Sequence, residues 1–265
     1  MEINSSADFV AMTRATLVAA GFVRKSAGDV IYFESADRGT HDAPLVLVHG
    51  VNDQAGSWFT VAPALATTRR VIALDLPGHG ESAPSTGPLP ISRFLAAMEA
   101  VFGDERGITL AGNSLGGWLA TLYTLAHPDR VGRLVLEAAG GLARPITSPM
   151  FAHDREQALV ILRNVHGSRF QAPQWVIDAL IARSKDSQML RVTEAENYLL
   201  DARLANLQTP TTLIWGEEDG VLPLTYARDL QSLIAGSELR VLEGAAHIPH
   251  MQQPEKFLQC LTAIS

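Results

Sequence analysis

The chain is poor in cysteine and has no long run of basic residues. Its one cysteine, Cys260, can form no internal disulfide, which favours a reducing compartment and predicts a cytoplasmic protein. Lysine and arginine total 21 against 28 aspartate and glutamate residues, giving a formal net charge of -7. No basic stretch offers a surface for phosphate backbones or anionic lipid. We therefore expect neither nucleic acid nor a membrane as a partner.

The first residues also lack the features of a secretory leader. A leader needs a basic start and an uninterrupted apolar run, whereas Asp8 and Arg14 interrupt this one. Either Ser5 or Ser6 can serve as an N-cap for the apolar positions that follow, up to Gly21. The segment is therefore predicted to be a short amphipathic helix.

Short apolar runs that alternate with helical patterns are abundant. With 47% hydrophobic residues, the 265-residue chain can bury a substantial core. The alternation predicts an α/β fold: an eight-stranded, mostly parallel sheet with helices on both faces. The first two strands form a hairpin turned at Gly28. The other six are predicted in "PLVLVHG", "RRVIALDLPG", "GITLAGNS", "GRLVLEAAGG", "PTTLIWGEED" and "SELRVLEGAAH".

Helices are predicted between the strands, and one connection is far longer than a simple crossover requires. The predicted helices are Trp58 to Ala66, Ile91 to Phe102, Leu115 to Ala126, Pro223 to Leu233, and Pro254 to Ile264. Residues 142–206, after the sixth strand, show helical patterns and no strand-like run. They are predicted to form a helical cap, or lid, over a core of residues 1–141 and 207–265. Five apolar cap residues could line its underside, although packing among the cap helices would produce the same pattern; they are Phe151, Leu159, Leu162, Trp175 and Ile177.

The stretch "ITLAGNSLGGWLA" places one serine between glycines where a strand meets a helix. A strand, a GxSxG pentapeptide and a helix together form a nucleophile elbow, a turn so tight that the serine is strained and exposed. Gly112 and Gly116 would leave room for the helix to pack against the strand. Ser114 is therefore the candidate nucleophile.

Five motifs in order carry a resemblance to a known family. They are "LVHG", "DLPGHGES", "GNSLGG", "LIWGEEDGVLP" and "GAAHIPHMQQPEKF". In these the chain resembles the α/β-hydrolase superfamily, over nearly its whole length outside the cap. The resemblance implies a triad in the chain order nucleophile, acid, histidine. By position its members are Ser114, Asp219 and His247.

Two other residues compete for the acid and base roles. His250 lies three residues beyond His247, where a lid or surface contact is the favoured interpretation. Glu137 is an alternative acid after the sixth strand, although it falls inside the strand pattern. Glu217 and Glu218 are interpreted as solvated loop charges.

The remaining histidines are assigned to structure rather than to catalysis. His49 and His79 belong to the "HG" and "PGHG" turns and are predicted to be structural hydrogen-bonding residues. The other four fall in loops or helices without a supporting motif: His41, His127, His153 and His166. The resemblance further implies an oxyanion hole of two backbone N–H groups, those of Val51 and Leu115.

Two positions near the histidine differ from the usual family pattern. Gln252 stands where relatives commonly have an acidic residue, and Ala246 stands where glycine is frequent. Neither change removes a catalytic group, but both leave the packing around the histidine loop open.

The serine at the elbow selects among the reactions of the family. Relatives that open epoxides or displace halide carry aspartate there, and the epoxide hydrolases also use two cap tyrosines, whereas Tyr198 is the only tyrosine in this cap. Serine indicates acyl transfer through an acyl-enzyme. The leading prediction is a carboxylesterase for small to medium esters.

Two alternatives remain open at the level of sequence. One is a carbon–carbon hydrolase of aromatic ring-fission products; these relatives usually have tryptophan after the histidine, where Ile248 stands, and a cap arginine. Arg163, Arg169 and Arg183 cannot be aligned securely to that arginine. The other is a cofactor-free peroxidase or oxygenase, or a ligand receptor, on the same fold.

The expected partner is a small-molecule ester, bound by residues that the sequence does not identify. No HExxH spacing, GxGxxG turn or phosphate-binding loop is present, so neither a metal nor an organic cofactor is expected. The chain is expected to be a monomer or a homodimer.

Overall fold

The computed structural model describes residues 3–36, 43–146 and 148–262. Eight strands form the main sheet, and their bounds are β1 Val23–Ala27, β2 Val30–Glu34, β3 Leu45–Val48, β4 Val71–Leu74, β5 Ile108–Asn113, β6 Val131–Glu137, β7 Thr211–Gly216 and β8 Glu238–Leu242. Their order in the sheet is β1-β2-β4-β3-β5-β6-β7-β8. The pairs β1/β2 and β2/β4 are antiparallel and the others parallel. The predicted eight-stranded, mostly parallel sheet and its Gly28 hairpin are confirmed.

Helices cover both faces of the sheet. Their bounds are α1 Ser6–Ala19, α2 Ala62–Leu65, α3 Ile91–Phe102, α4 Leu115–Ala126, α5 Arg155–His166, α6 Gln174–Lys185, α7 Leu224–Leu233, α8 Pro249–Gln252 and α9 Pro254–Thr262. The Ser5 hydroxyl accepts from Asp8 N, so Ser5 is the N-cap of α1. Helix α3 buries Phe94, Met98 and Phe102 at the helical spacing that predicted it.

One predicted helix has different bounds in the structure, and the predicted end of another is untested. The helix predicted from Trp58 begins earlier, as a 3-10 helix over Ala55–Thr60, and α2 follows it. Buried Asp75 accepts from Ala55 N at 2.6 Å, a long-range bond that local periodicity could not reveal. The end predicted for the last helix, Ile264, lies outside the described residues.

Among the described residues of segment 142–206, here called the cap segment, none joins the main sheet. Contrary to the sequence prediction it does contain one short strand, Val192–Thr193, which pairs with Leu89–Pro90. The sequence did not reveal this strand because it forms through a long-range pairing, and two residues are too few to show a strand periodicity. Helices α5 and α6 pack around a small core of their own, which includes Ile161, Leu162 and Ile177.

The sheet order creates a crevice beside β3. The chain runs from β3 to β4 in one direction across the sheet and from β5 to β6 in the other, and such a switch point opens a crevice at the carboxyl ends of the strands. The turns after β3 and β5 therefore face each other. In the ranges that the structure describes, no helix is long and apolar enough to cross a membrane.

Candidate active site

Ser114 occupies a strained turn between β5 and α4. Its φ of 51° and ψ of -112° are unusual for a residue with a side chain, and such strain costs about 1–3 kcal/mol. A Cβ at Gly112 would lie 2.3 Å from Gly116 O, and one at Gly116 would lie 2.2 Å from Val48 O. No larger residue fits at either position, because both neighbours are backbone atoms. The tight elbow is therefore enforced by packing of α4 against the ends of β3 and β5.

Positive φ angles recur after three neighbouring strands. Asn52 (56°) follows β3, Ser114 follows β5 and Ala138 (44°) follows β6. Strained residues persist where the surrounding structure over-determines them, and they cluster at functional sites. The three positions mark the same edge of the sheet, where the sequence places the nucleophile.

His247 and Asp219 are joined directly. His247 Nδ1 lies 2.9 Å from Asp219 Oδ2, and the side chains are 7% and 0% exposed. The other carboxylate oxygen accepts from Val221 N and Leu222 N, each at 2.8 Å. Because an ionised carboxylate only accepts, the imidazole proton sits on Nδ1 and leaves the Nε2 lone pair free. This tautomer can accept a proton at Nε2.

The nucleophile turn and the histidine loop are linked through Asn113. Its side-chain Nδ2 donates to His247 O at 3.0 Å, and the next residue, Ser114, donates its backbone N–H to Glu137 O at 2.9 Å. Within the described part of the chain, Ser114 Oγ makes no hydrogen bond to His247 Nε2. Such contacts often tighten only when substrate binds.

Two backbone N–H groups border the serine. A Cβ at Gly50 would lie 3.3 Å from Ser114 Cβ, so the loop after β3 adjoins the elbow. Over the ranges that the structure describes, neither Val51 N nor Leu115 N donates to a protein acceptor. Leu115 begins the twelve-residue helix α4, whose amino end favours negative charge. Both groups are available to an oxyanion.

His49 orients one of these groups. Its Nε2 accepts from Leu76 N at 3.0 Å, so the ring proton is on Nδ1, which donates to Gly50 O at 2.7 Å. The Gly50 carbonyl and the Val51 N–H belong to one peptide unit and point in opposite directions. His49 therefore fixes the direction of the Val51 N–H.

His250 and Glu137 form a second buried pair. His250 Nδ1 lies 2.8 Å from Glu137 Oε2, and His250 N donates to Oε1 at 2.7 Å. The side chains are 0% and 1% exposed, and the His250 ring lies 4.1 Å from that of Trp58. The lid or surface contact favoured for His250 from the sequence is therefore wrong: the ring is buried against Trp58 and Phe257, which lie outside the cap segment. The pair therefore joins α8 to the end of β6.

Replacing Glu137 by alanine should destabilise the fold. The His250 backbone N–H and Nδ1 would lose their acceptor inside the core, and breaking a buried pair in this way costs about 3–5 kcal/mol. Urea unfolding followed by circular dichroism measures the loss in unfolding free energy. Glu238→Ala, which removes an exposed ion pair with Arg240, is the control and should cost far less. Equal losses of unfolding free energy in the two variants would show that the buried pair stabilises the fold no more than the exposed ion pair does.

The structure adds His166, which the sequence left without a role. Burial lowers its pKa to about 4, while Asp53 raises it and His247 lowers it by smaller amounts. Its ring stacks on Phe170 at 4.2 Å. His166 is thus an uncharged ring at neutral pH, close enough to both Asp53 and His247 to interact with them. No motif in the sequence identified His166, because its proximity to His247 depends on how the last turn of α5 packs.

The cap segment also holds the loop after β3. Arg183 Nη1 donates to Asn52 O at 2.7 Å, and Ser187 Oγ donates to Asn52 Oδ1 at 2.6 Å. Of the residues suggested for an apolar underside, Leu159, Leu162 and Ile177 pack in the core of the cap segment. For these three residues, packing among the helices of the cap segment explains the apolar pattern.

Comparison with known proteins agrees with the fold. Residues 45–259 match the model of the alpha/beta hydrolase family. The chain is 31% identical over 252 residues to the dihydrolipoyllysine-residue acetyltransferase component of the acetoin cleaving system of Pseudomonas putida, covering 88% of this chain but only 65% of that protein. It is 28% identical over 262 residues to the 2-hydroxy-6-oxononadienedioate/2-hydroxy-6-oxononatrienedioate hydrolase of Escherichia coli, covering 89% and 91%. A solved structure of a membrane phospholipase A superimposes with a TM-score of 0.81 at 25% identity, covering 97% and 90%.

Proposed function

The chain belongs to the alpha/beta hydrolase family, and on that premise we propose that it is a serine hydrolase that cleaves carboxylic esters of small to medium acyl chain length. In this proposal Ser114 is the nucleophile, His247 the general base and acid, and Asp219 the residue that orients His247. The backbone N–H groups of Val51 and Leu115 form the oxyanion hole. The cap segment covers the site.

The observation that carries the proposal is the contact between His247 Nδ1 and Asp219 Oδ2 at 2.9 Å. Asp219 holds the imidazole proton on Nδ1, so Nε2 is left as a base on the side away from the acid. A serine hydroxyl is a weak nucleophile at neutral pH and needs such a base. Strain at Ser114 and the available N–H groups of Val51 and Leu115 support the same assignment.

The first half of the reaction forms the acyl-enzyme. Ser114 Oγ attacks the ester carbonyl carbon while His247 Nε2 takes its proton, and the negative charge on the carbonyl oxygen is received by the two N–H groups. The bond from carbon to the alkoxy oxygen then breaks. The alcohol leaves with the proton that His247 returns.

The second half regenerates the enzyme by the same groups. Water attacks the acyl carbon, His247 accepts one of its protons, and the bond between carbon and Ser114 Oγ breaks. The serine recovers its proton from His247 and the carboxylic acid departs. Asp219 stabilises the imidazolium at each stage without itself becoming protonated.

The surroundings of Arg183 make it a poor candidate for the cap arginine of a carbon–carbon hydrolase. Two of its five N–H donors are committed, to Asn52 O and to Ser6 Oγ, which leaves Arg163 and Arg169 as the cap arginines for that alternative. The Escherichia coli hydrolase keeps the alternative open, because its name describes a dienedioate hydrolase. The solved structure with the similar fold is named as a membrane phospholipase A.

The proposal is tested with p-nitrophenyl esters from acetate to decanoate, alongside a 2-hydroxy-6-oxo-dienoate. We expect turnover of the shorter esters and a fall in kcat/KM once the acyl chain exceeds the pocket. Preferential cleavage of the dienoate would instead support the carbon–carbon hydrolase. If the protein binds an ester or the dienoate but turns over neither, the receptor alternative would be favoured.

A further inference from the structure

The last turn of α5 lies against both loops that carry the acid and the histidine. At a helix end the final carbonyl groups have no partner within the helix. Here three successive carbonyls accept hydrogen bonds from outside it. The contacts are Gly220 N to Asn164 O at 3.1 Å, His247 N to Val165 O at 3.0 Å, and Gln252 Nε2 to His166 O at 2.8 Å.

Gln252 bridges the helix end and the histidine loop. Its Oε1 accepts from Ala246 N at 2.7 Å while its Nε2 donates to His166 O at 2.8 Å. The partners leave one orientation of the amide, because Ala246 N can only donate and His166 O can only accept. An ionised carboxylate could keep the first bond but could not make the second. An amide is therefore the group that satisfies both partners.

We propose that the last turn of α5 (residues 164–166) and Gln252 form a clamp that positions the Asp219–His247 pair, with Gln252 as a positioning residue. This proposal rests on the function proposed above. The helix end holds Gly220, next to Asp219, and His247 itself, so the two loops share one support. The cap segment is then part of the machinery that aligns the base, and not only a cover.

The clamp also has an electrostatic consequence. The carboxyl end of an α-helix carries a partial negative charge, which favours a nearby cation. α5 ends against the backbone of His247, so it stabilises the imidazolium that forms when Ser114 loses its proton. Misplacing this helix end therefore lowers kcat more than it weakens substrate binding.

Two substitutions at Gln252 separate its two bonds. Gln252→Met removes both and adds no charge, whereas Gln252→Glu keeps only the acceptor for Ala246 N. Gln231→Met is the matched control. Gln231 lies on α7, outside the site, and its amide donates to the backbone oxygen of Ser237 at 3.4 Å. Thermal unfolding verifies that each variant is folded.

We expect Gln252→Met and Gln252→Glu each to lower kcat about 10-fold or more, with KM within about 2-fold of wild type. The Gln231→Met control should keep the wild-type kcat. Wild-type kcat in Gln252→Glu would show that the bond to α5 has no role in positioning. A change confined to KM would assign Gln252 to substrate binding, and an equal loss in Gln231→Met would show a nonspecific effect; both would overturn the proposal.

A second readout does not depend on ester turnover. The proton shared by His247 Nδ1 and Asp219 should give a far-downfield ¹H NMR resonance, which Asp219→Asn removes and thereby assigns. It should shift or broaden in both Gln252 variants and stay unchanged in Gln231→Met. If wild type hydrolyses no ester but the resonance responds in this way, the proposed function fails and the clamp stands. An unchanged resonance in both folded Gln252 variants overturns the clamp.

Discussion

Ser114→Ala should reduce kcat/KM for ester hydrolysis by about 10⁴- to 10⁶-fold. The substitution removes the only atom of Ser114 that can bond to the acyl carbon, while the Cβ and the strained backbone remain. The available N–H groups of Val51 and Leu115 would still polarise a bound carbonyl, so a small residual rate should persist. Initial rates with the best p-nitrophenyl ester, measured at high enzyme concentration, give the ratio.

The control must separate lost chemistry from lost structure. Ser232→Ala removes an exposed hydroxyl whose bond in the described structure is local, to Asp229 O, and should leave the rate unchanged. Ser114→Gly should be as inactive as Ser114→Ala yet unfold at higher temperature, because glycine adopts a φ of 51° without strain. Activity in Ser114→Ala within about 10-fold of wild type would contradict the nucleophile assignment, because that ratio is worth only about 1.4 kcal/mol.

Asp219→Asn should reduce kcat by about 10⁴-fold while leaving the fold intact. The direction of the new amide is dictated by its neighbours. Val221 N and Leu222 N both donate to Oδ1, so the asparagine oxygen must stay there and its NH₂ must face His247 Nδ1. That NH₂ donates, which forces the imidazole proton onto Nε2 and blocks the base.

The two neighbouring glutamates provide matched controls for this substitution. Glu217→Gln and Glu218→Gln remove the same charge from the same loop, but in the described structure neither side chain forms a hydrogen bond or ion pair with a histidine, so both variants should keep kcat near the wild-type value. Steady-state kinetics with one ester compares all three variants. A loss of activity in Glu218→Gln as large as that in Asp219→Asn would contradict the choice of acid.

Much of the fold was predictable because its signals are local. The hairpin turned at Gly28, the elbow around Ser114 and the amphipathic α3 each depend on residues a few positions apart. Strand periodicity and turn chemistry depend on residues a few positions apart, so both can be recognised in the sequence. The same holds for the order of the triad candidates, which five short motifs identify.

Tertiary structure alone decided how distant segments meet. The burial of His250 against Glu137, the approach of His166 to His247, and the contact between Gln252 and α5 join residues far apart in the chain. A hydrogen bond requires its donor and acceptor within about 3 Å, and no periodicity specifies which distant backbone groups come that close. Local sequence patterns specified most of the elements and the candidate chemistry. Packing of the cap segment against the sheet decided which groups support that chemistry, because the free carbonyls of a helix end accept whichever donors the fold brings to them.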